Sequence, residues 1–133
     1  SVVIMSEVHF PLEENEEQAK HKVARPQIED IRVWSGVIDG ADHFIGCDSV
    51  GQHLAYATGI PSTVVIGSTF PINTSYPNCE SFNIMDMGEL SRVYSPIRVT
   101  VDEFSDRVNE GIMQMNDKIE THIVEEIDKH LGE

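Results

Sequence analysis

Apolar residues along this chain fall into two patterns. Short unbroken runs occur at Val2 to Met5, Phe44 to Cys47 and Thr63 to Ile66. Runs of this kind, two of them rich in β-branched residues, suit interior strands of a parallel sheet covered on both faces. Elsewhere the apolar positions step at helical spacing. After Pro26, which marks a boundary, Ile28, Ile31, Trp34, Val37 and Ile38 recur up to Gly40 and predict a helix whose stripe faces the sheet. Trp34 is assigned to that stripe rather than to base stacking, because its large apolar area is best used in a core. From Thr100 the same signal returns. Thr100 and Glu103 form a capping box, and Val101, Phe104, Val108, Ile112, Met115, Ile119, Ile123 and Ile127 recur at helical spacing, which predicts one long helix to Leu131 or two parted near Asn116. Gly111 weakens it by about 1 kcal/mol relative to alanine. A helix of that length outruns a sheet of short strands, so its far end is expected to pack on a further domain or a second chain.

The centre of the pattern is a βαβ unit. Phe44 to Cys47 leads through Asp48 into a helix with Ser49 as N-cap and Leu54, Ala55 and Ala57 as helix formers. Gly59 supplies the left-handed stop and Pro61 prevents continuation, after which Thr63 to Ile66 forms the next strand. A strand that enters a helix in this way leaves unpaired N–H groups and the positive end of a dipole at the carboxyl edge of the sheet, a place that attracts phosphate. The run from Gly67 to Pro77 is expected as a long loop at a strand's carboxyl end, where open α/β sheets bind ligands. Its Ser68, Thr69, Asn73, Thr74, Ser75 and Tyr76 suit a sugar or a phosphate, and equally suit ordinary turn chemistry. Ser6 to Leu12 is read as loop, Glu13 to Lys22 as an exposed helix, and Ser81 to Met85 as a short strand. Met87 to Arg92 is read as a helical turn and Pro96 to Val99 as an edge strand. The predicted class is α/β: a Rossmann-like, open, mostly parallel sheet of about five strands with flanking helices and a long C-terminal helix. A single domain spanning 1–133 is expected.

Asp48-Ser49, then His53-Leu54-Ala55, then Gly59-Ile60-Pro61, an apolar strand and Gly67-Ser68-Thr69-Phe70-Pro71 resemble the donor-binding motif of heptosyltransferase-like glycosyltransferases of the GT-B fold. That family has roughly Asp-Ser/Thr-Gly-x-x-His-Leu-Ala, then Gly-x-Pro, then Gly-x-Thr-x-Pro. The resemblance extends from about Ile28 to Pro77. Val50 stands where the family usually has glycine, and Gly51 follows one position later. The resemblance implies that Asp48 accepts hydrogen bonds from the hydroxyls of a donor sugar, while Ser49 and the amides of Val50 and Gly51 hold its diphosphate. His53, one helical turn beyond Ser49, would reach the same phosphate, and Ser68 and Thr69 would line the site from the loop. Preorganised dipoles stabilise a departing nucleoside diphosphate, so neither a metal nor a cofactor is expected, only a nucleotide-sugar substrate. A GT-B enzyme has two such domains, and this chain resembles the C-terminal one. The acceptor-binding half, with the family's catalytic carboxylate, would be an N-terminal domain or a second chain, and this chain alone is expected to transfer nothing. In the family a lysine in the loop after the first strand meets the donor phosphates. His9, Lys20, Lys22 and Arg25 are the nearby cations, and each reads as a solvated surface group.

Charge narrows the picture further. With 23 acidic against 9 basic residues the formal net charge is −14, which argues against a nucleic-acid backbone as partner. A free nucleotide remains compatible, because a helix end needs no net positive charge. Cys47 and Cys79 make no disulfide framework, and reduced thiols in a cytoplasmic setting are expected. The opening Ser1 to Met5 is too short for a signal peptide or a membrane span, no later run reaches that length, and the abrupt start on a strand points to sequence upstream. Gly46-Cys47-Asp48-Ser49-Val50-Gly51 is not a nucleophile elbow, and the histidines and cysteines lack metal-ligand spacing. A rival reading is a non-catalytic interaction or oligomerisation domain that keeps the GT-B C-terminal fold.

Overall fold

The computed structural model of the chain describes residues 2–5, 23–89, 92 and 117–131. Strand β1, Val2–Val3, pairs in parallel with β2, Val23–Ala24, and the pairing is extended by the Ile4 N–H donating to the Ala24 carbonyl at 2.8 Å. A second sheet contains β3, Phe44–Gly46, β4, Ser62–Ile66, and β5, Phe82–Asp86, all parallel and in the order β3-β4-β5. The protein is thus a mixed α/β fold, with parallel sheets of two and three strands among the described residues, where the sequence pattern predicts a single sheet of about five.

β4 carries the core. All five of its residues are buried, as a strand with a neighbour on each side and cover on both faces requires. Its two polar members are satisfied locally: the Ser62 hydroxyl donates to the Ile60 carbonyl at 2.8 Å, and Thr63 Oγ1 lies 2.9 Å from His43 Nε2. Val64 and Ile66 join Ile38, Ala55 and Phe82 in the central cluster, and Met5, Phe44, Leu54, Ile60, Tyr76, Cys79 and Ile84 pack around it. The expectation that Phe44 to Cys47 is a central strand is corrected. Among the described strands β3 has β4 as its one neighbour, and Ile45 is 48% exposed.

Helix α1, Ile31–Asp39, begins later than its apolar pattern predicts, because Asp30 rather than the Pro26 boundary sets the start: its carboxylate accepts from the Arg32 N–H at 2.8 Å. Ile28 therefore lies in the lead-in, and its carbonyl accepts from the Trp34 indole N–H at 3.0 Å. The stripe is correspondingly rotated. Ile38 is buried, whereas Ile31 and Val33 are exposed. Helix α2, Val50–Thr58, packs on α1 and ends at Gly59, whose φ of 76° is the left-handed stop that the sequence calls for. The loop after β4 contains a short helix that sequence reading misses, α3, Pro71–Thr74, opened by proline at its first turn and closed by the Ser75 N–H on the Pro71 carbonyl at 2.8 Å. After β5 the Arg92 N–H donates to the Gly88 carbonyl at 2.8 Å, consistent with the expected helical turn. Helix α4, Asp117–Leu131, packs on β4, and its Ile119 is buried. The expected helix at Glu13 to Lys22, the edge strand at Pro96 to Val99, the cations His9, Lys20 and Lys22, and the helix from Thr100 to Asn116 lie outside the described residues.

Candidate functional site

The candidate site lies at the carboxyl ends of β3 and β4. At the end of β3 the chain makes a tight turn in which the Ser49 N–H donates to the Cys47 carbonyl at 2.8 Å, and α2 starts immediately afterwards. Ser49 occupies the N-cap position with extended backbone, yet its side chain makes no capping hydrogen bond; its Oγ instead lies 3.7 Å from the Cys47 thiol. The first-turn amides of α2 are therefore not taken up by the residue best placed to cap them. Asp48 does not cap either. Its Oδ2 accepts from the Thr69 hydroxyl at 2.5 Å, so the turn after β3 and the loop after β4 meet through a charge-assisted hydrogen bond.

From Thr69 the network runs inward. Thr69 Oγ1 lies 3.1 Å from Thr74 Oγ1, which also donates to the Phe70 carbonyl at 3.2 Å. The Thr74 carbonyl accepts from Gln52 Nε2 at 2.7 Å. Gln52 has 0% exposure, and its Oε1 has no protein partner. Sequence reading passed over this glutamine, although a signal was available: it sits three residues before Ala55, on the face of α2 that packs inward, where a polar side chain must find partners.

The remaining motif residues divide. Val50 is exposed, while Gly51 is buried against the Phe44 ring, so close that a Cβ at position 51 would meet Phe44 Cζ at 2.7 Å. The glycine one place later than in the resembled motif thus has a packing role, since it lets the first turn of α2 approach β3. His53 is exposed, and its Nδ1 lies 2.7 Å from the Tyr76 hydroxyl, at the far end of the loop. Tyr76 stacks on Tyr56 with centroids 3.7 Å apart and meets Phe82 edge-on at 5.4 Å, which pins the loop to both α2 and β5. Ser68 is exposed beside Thr69.

A further group braces the loop from the β5 side. Arg92 binds both carboxylate oxygens of Asp86, donates from Nε to the Gly67 carbonyl at 3.2 Å, and lies 4.8 Å above the Phe70 ring centroid. Its side chain is 3% exposed. Among the described residues no group of three His, Cys, Asp or Glu side chains is arranged to hold a metal ion. Nor is any described helix long and apolar enough to cross a membrane.

The assembled geometry is a helix start that its N-cap side chain leaves uncapped, beside a carboxylate that accepts from a loop hydroxyl, at the carboxyl edge of a parallel sheet. Such an arrangement can receive an anion at the helix end and a hydroxyl at the carboxylate. Neither a family model, nor a curated protein, nor a solved structure matches the chain.

Proposed function

We propose that the chain binds a nucleotide-activated sugar, as the donor-binding half of a heptosyltransferase-like glycosyltransferase of GT-B fold. The observation that carries this reading is the pairing of Asp48, held by Thr69 at 2.5 Å, with an α2 N-terminus that Ser49 does not cap. The diphosphate would lie on the amides of Val50 and Gly51 and the Ser49 hydroxyl, and a sugar hydroxyl would donate to Asp48. Leaving-group charge would then be met by fixed dipoles. An acceptor hydroxyl and the base that takes its proton would come from an N-terminal acceptor domain or a second chain. The finer fold proposal is that the two sheets belong to one Rossmann-like sheet of five strands. Support for it comes from Met5, just beyond β1, which packs on the core shared by β4 and β5.

Calorimetric titration with uridine, guanosine and adenosine diphosphates tests the site. A ligand with one wall in water is expected to bind with a dissociation constant on the order of 1 mM, about 4 kcal/mol. Ser49→Ala and Asp48→Ala should each weaken it severalfold. Absence of binding by all three nucleotides at several millimolar would refute the reading, and so would binding that neither substitution alters.

A second reading, an interaction or oligomerisation domain on the same fold, is favoured by α4. Val124 and Leu131 are 55% and 56% exposed on a helix whose Ile119 is buried. This stripe would suit a second copy or a partner domain, and sedimentation velocity tests it directly: a dimer that Val124→Glu disrupts supports it, and a monomer at all concentrations rejects it.

A further inference from the structure

Of the polar groups around the candidate site, Arg92 is the one whose engagement is most complete and whose placement stability alone explains least. Its guanidinium presents two nitrogens to the Asp86 carboxylate and a third to the Gly67 carbonyl at 3.2 Å, and its face covers Phe70 at 4.8 Å. Asp86 is fixed in turn, because its Oδ1 accepts from the Gly88 N–H at 3.1 Å while the Gly88 carbonyl accepts from the Arg92 N–H at 2.8 Å. Asp86, Gly88 and Arg92 therefore form a closed brace at the end of β5. An ion pair this sheltered returns little net stability over well-packed apolar groups, since removing both charges from water opposes their attraction. What a planar, forked cation adds is direction.

That direction falls on the site. Gly67 and Phe70 are the two residues that bracket Ser68 and Thr69, and Arg92 engages both brackets. With both ends of so short a span held, the Thr69 backbone has little freedom, and its hydroxyl stays on Asp48. The Phe70 carbonyl also receives the Asn73 and Thr74 N–H groups at 2.9 and 3.2 Å, so the brace extends to the start of α3 and hence to the Thr74 carbonyl that holds Gln52. We propose that Arg92 is a positioning residue: paired with Asp86, it fixes Gly67 to Phe70 so that Thr69 orients the Asp48 carboxylate for ligand, without contacting the ligand. The ligand part of this proposal rests on the donor-site reading above; the orienting part does not.

Backbone ¹⁵N relaxation of the 133-residue chain, compared with Arg92→Lys and Asp86→Asn, separates the two. Lysine keeps the positive charge and loses the fork, while Asp86→Asn keeps Arg92 and weakens its anchor; the second variant decides the matter if the first does not fold. Order parameters at Ser68 and Thr69 are expected near the rigid value of about 0.85 in the parent and below about 0.6 in both variants, with Val64 and Val65 unchanged. The amide peaks of Asp48 and Ser49 should shift in both. Unaltered order at Ser68 and Thr69 would overturn the proposal. So would equal loosening of Val64 and Val65, because that is the signature of a general stabiliser. In a second arm, affinity for whichever of uridine, guanosine and adenosine diphosphate the parent binds should fall about tenfold in each variant. A parent that binds none of the uridine, guanosine and adenosine diphosphates removes the donor-site reading and with it the ligand half of the proposal, whereas the relaxation arm still decides whether Arg92 positions Thr69.

Discussion

Two adjacent strand ends on the same edge of the sheet are built in opposite ways. The turn after β3 is sparsely tied: Ser49 leaves α2 uncapped, Val50 faces outward, and Ile45 on the strand itself is half exposed. The loop after β4 is fastened at nearly every step, by Arg92 at Gly67 and Phe70, by Asp48 at Thr69, by Gln52 at Thr74, and by the aromatic stack at Tyr76. The contrast teaches how such an edge could serve recognition. On the donor-site reading, the uncapped helix end would meet the ligand, and the carboxylate beside it would be aimed by groups fastened to their neighbours.

The largest effect should come from the tied side. Arg92→Ala leaves the Asp86 carboxylate, 23% exposed, without its cation, and it uncovers Phe70. Breaking a sheltered pair from one side costs about 3 kcal/mol or more, and partial access of Asp86 to water places this case at the lower end. Urea denaturation should show a midpoint lowered accordingly with an unchanged slope. A loss under about 1 kcal/mol, the range of surface ion pairs, would mean that the two strand ends are equally loose.

Next in size is Gly51→Ala. Alanine favours the helix by about 1 kcal/mol, but the new methyl would sit 2.7 Å from Phe44 Cζ, and Phe44 packs on the core. Overpacking typically costs 1–3 kcal/mol, roughly, so a net loss of about 1 kcal/mol is expected. The cycle with Phe44→Leu sharpens this, because relief of the clash should appear as a coupling of about 1 kcal/mol between the two sites. Additive effects would show that Gly51 is not there to admit the ring.

How far the sequence carried this far depended on the range of the interactions involved. The βαβ unit was legible because each signal is local: the apolar run of β4, Gly59 at φ 76°, and Pro61 beyond it. The meeting of Asp48 with the Gly67 to Pro77 loop followed from the parallel topology alone, since both leave the same edge. That β3 has a single neighbour among the described strands was not legible, because an apolar run is the same whether one neighbour or two will pair with it. The start of α1 departs from its apolar pattern for a different reason. Helical spacing began at Ile28, but the cap at Asp30 outweighs periodicity at the first turn. Gln52 and Arg92 were missed because their partners lie far along the chain, at Thr74 in one case and Gly67 in the other. A local window shows that Gln52 faces inward and that Asp86 lies near Arg92, but not these distant partners.

Thr69→Val is expected to have a moderate effect. Valine keeps the volume and removes the hydroxyl shared between Asp48 and Thr74, so stability should fall by about 1 kcal/mol, the usual worth of such a hydrogen bond. On the donor-site proposal, nucleoside diphosphate affinity should fall more steeply than stability does. Calorimetry on a variant shown by circular dichroism to be folded compares the two directly, and equal losses would mean that Asp48 needs no orienting.

The smallest effect on stability should belong to Ser49→Ala, and its smallness is what defines the untied side. Serine at an N-cap is ordinarily worth about 1 kcal/mol, because its oxygen satisfies an amide of the first turn. Here Ser49 Oγ makes no such bond and lies instead 3.7 Å from Cys47 Sγ, so removing it forfeits little that holds α2 in place. A change within about 0.3 kcal/mol is therefore expected, well inside the range of neutral surface substitutions. Paired with a severalfold loss of nucleotide affinity, that outcome would assign the hydroxyl to ligand rather than to fold. A loss of 1 kcal/mol or more, by the ordinary worth of a cap, would mean that Ser49 turns inward in solution to cap α2. The helix end would then be occupied by its own chain, and the contrast with the loop after β4 would disappear.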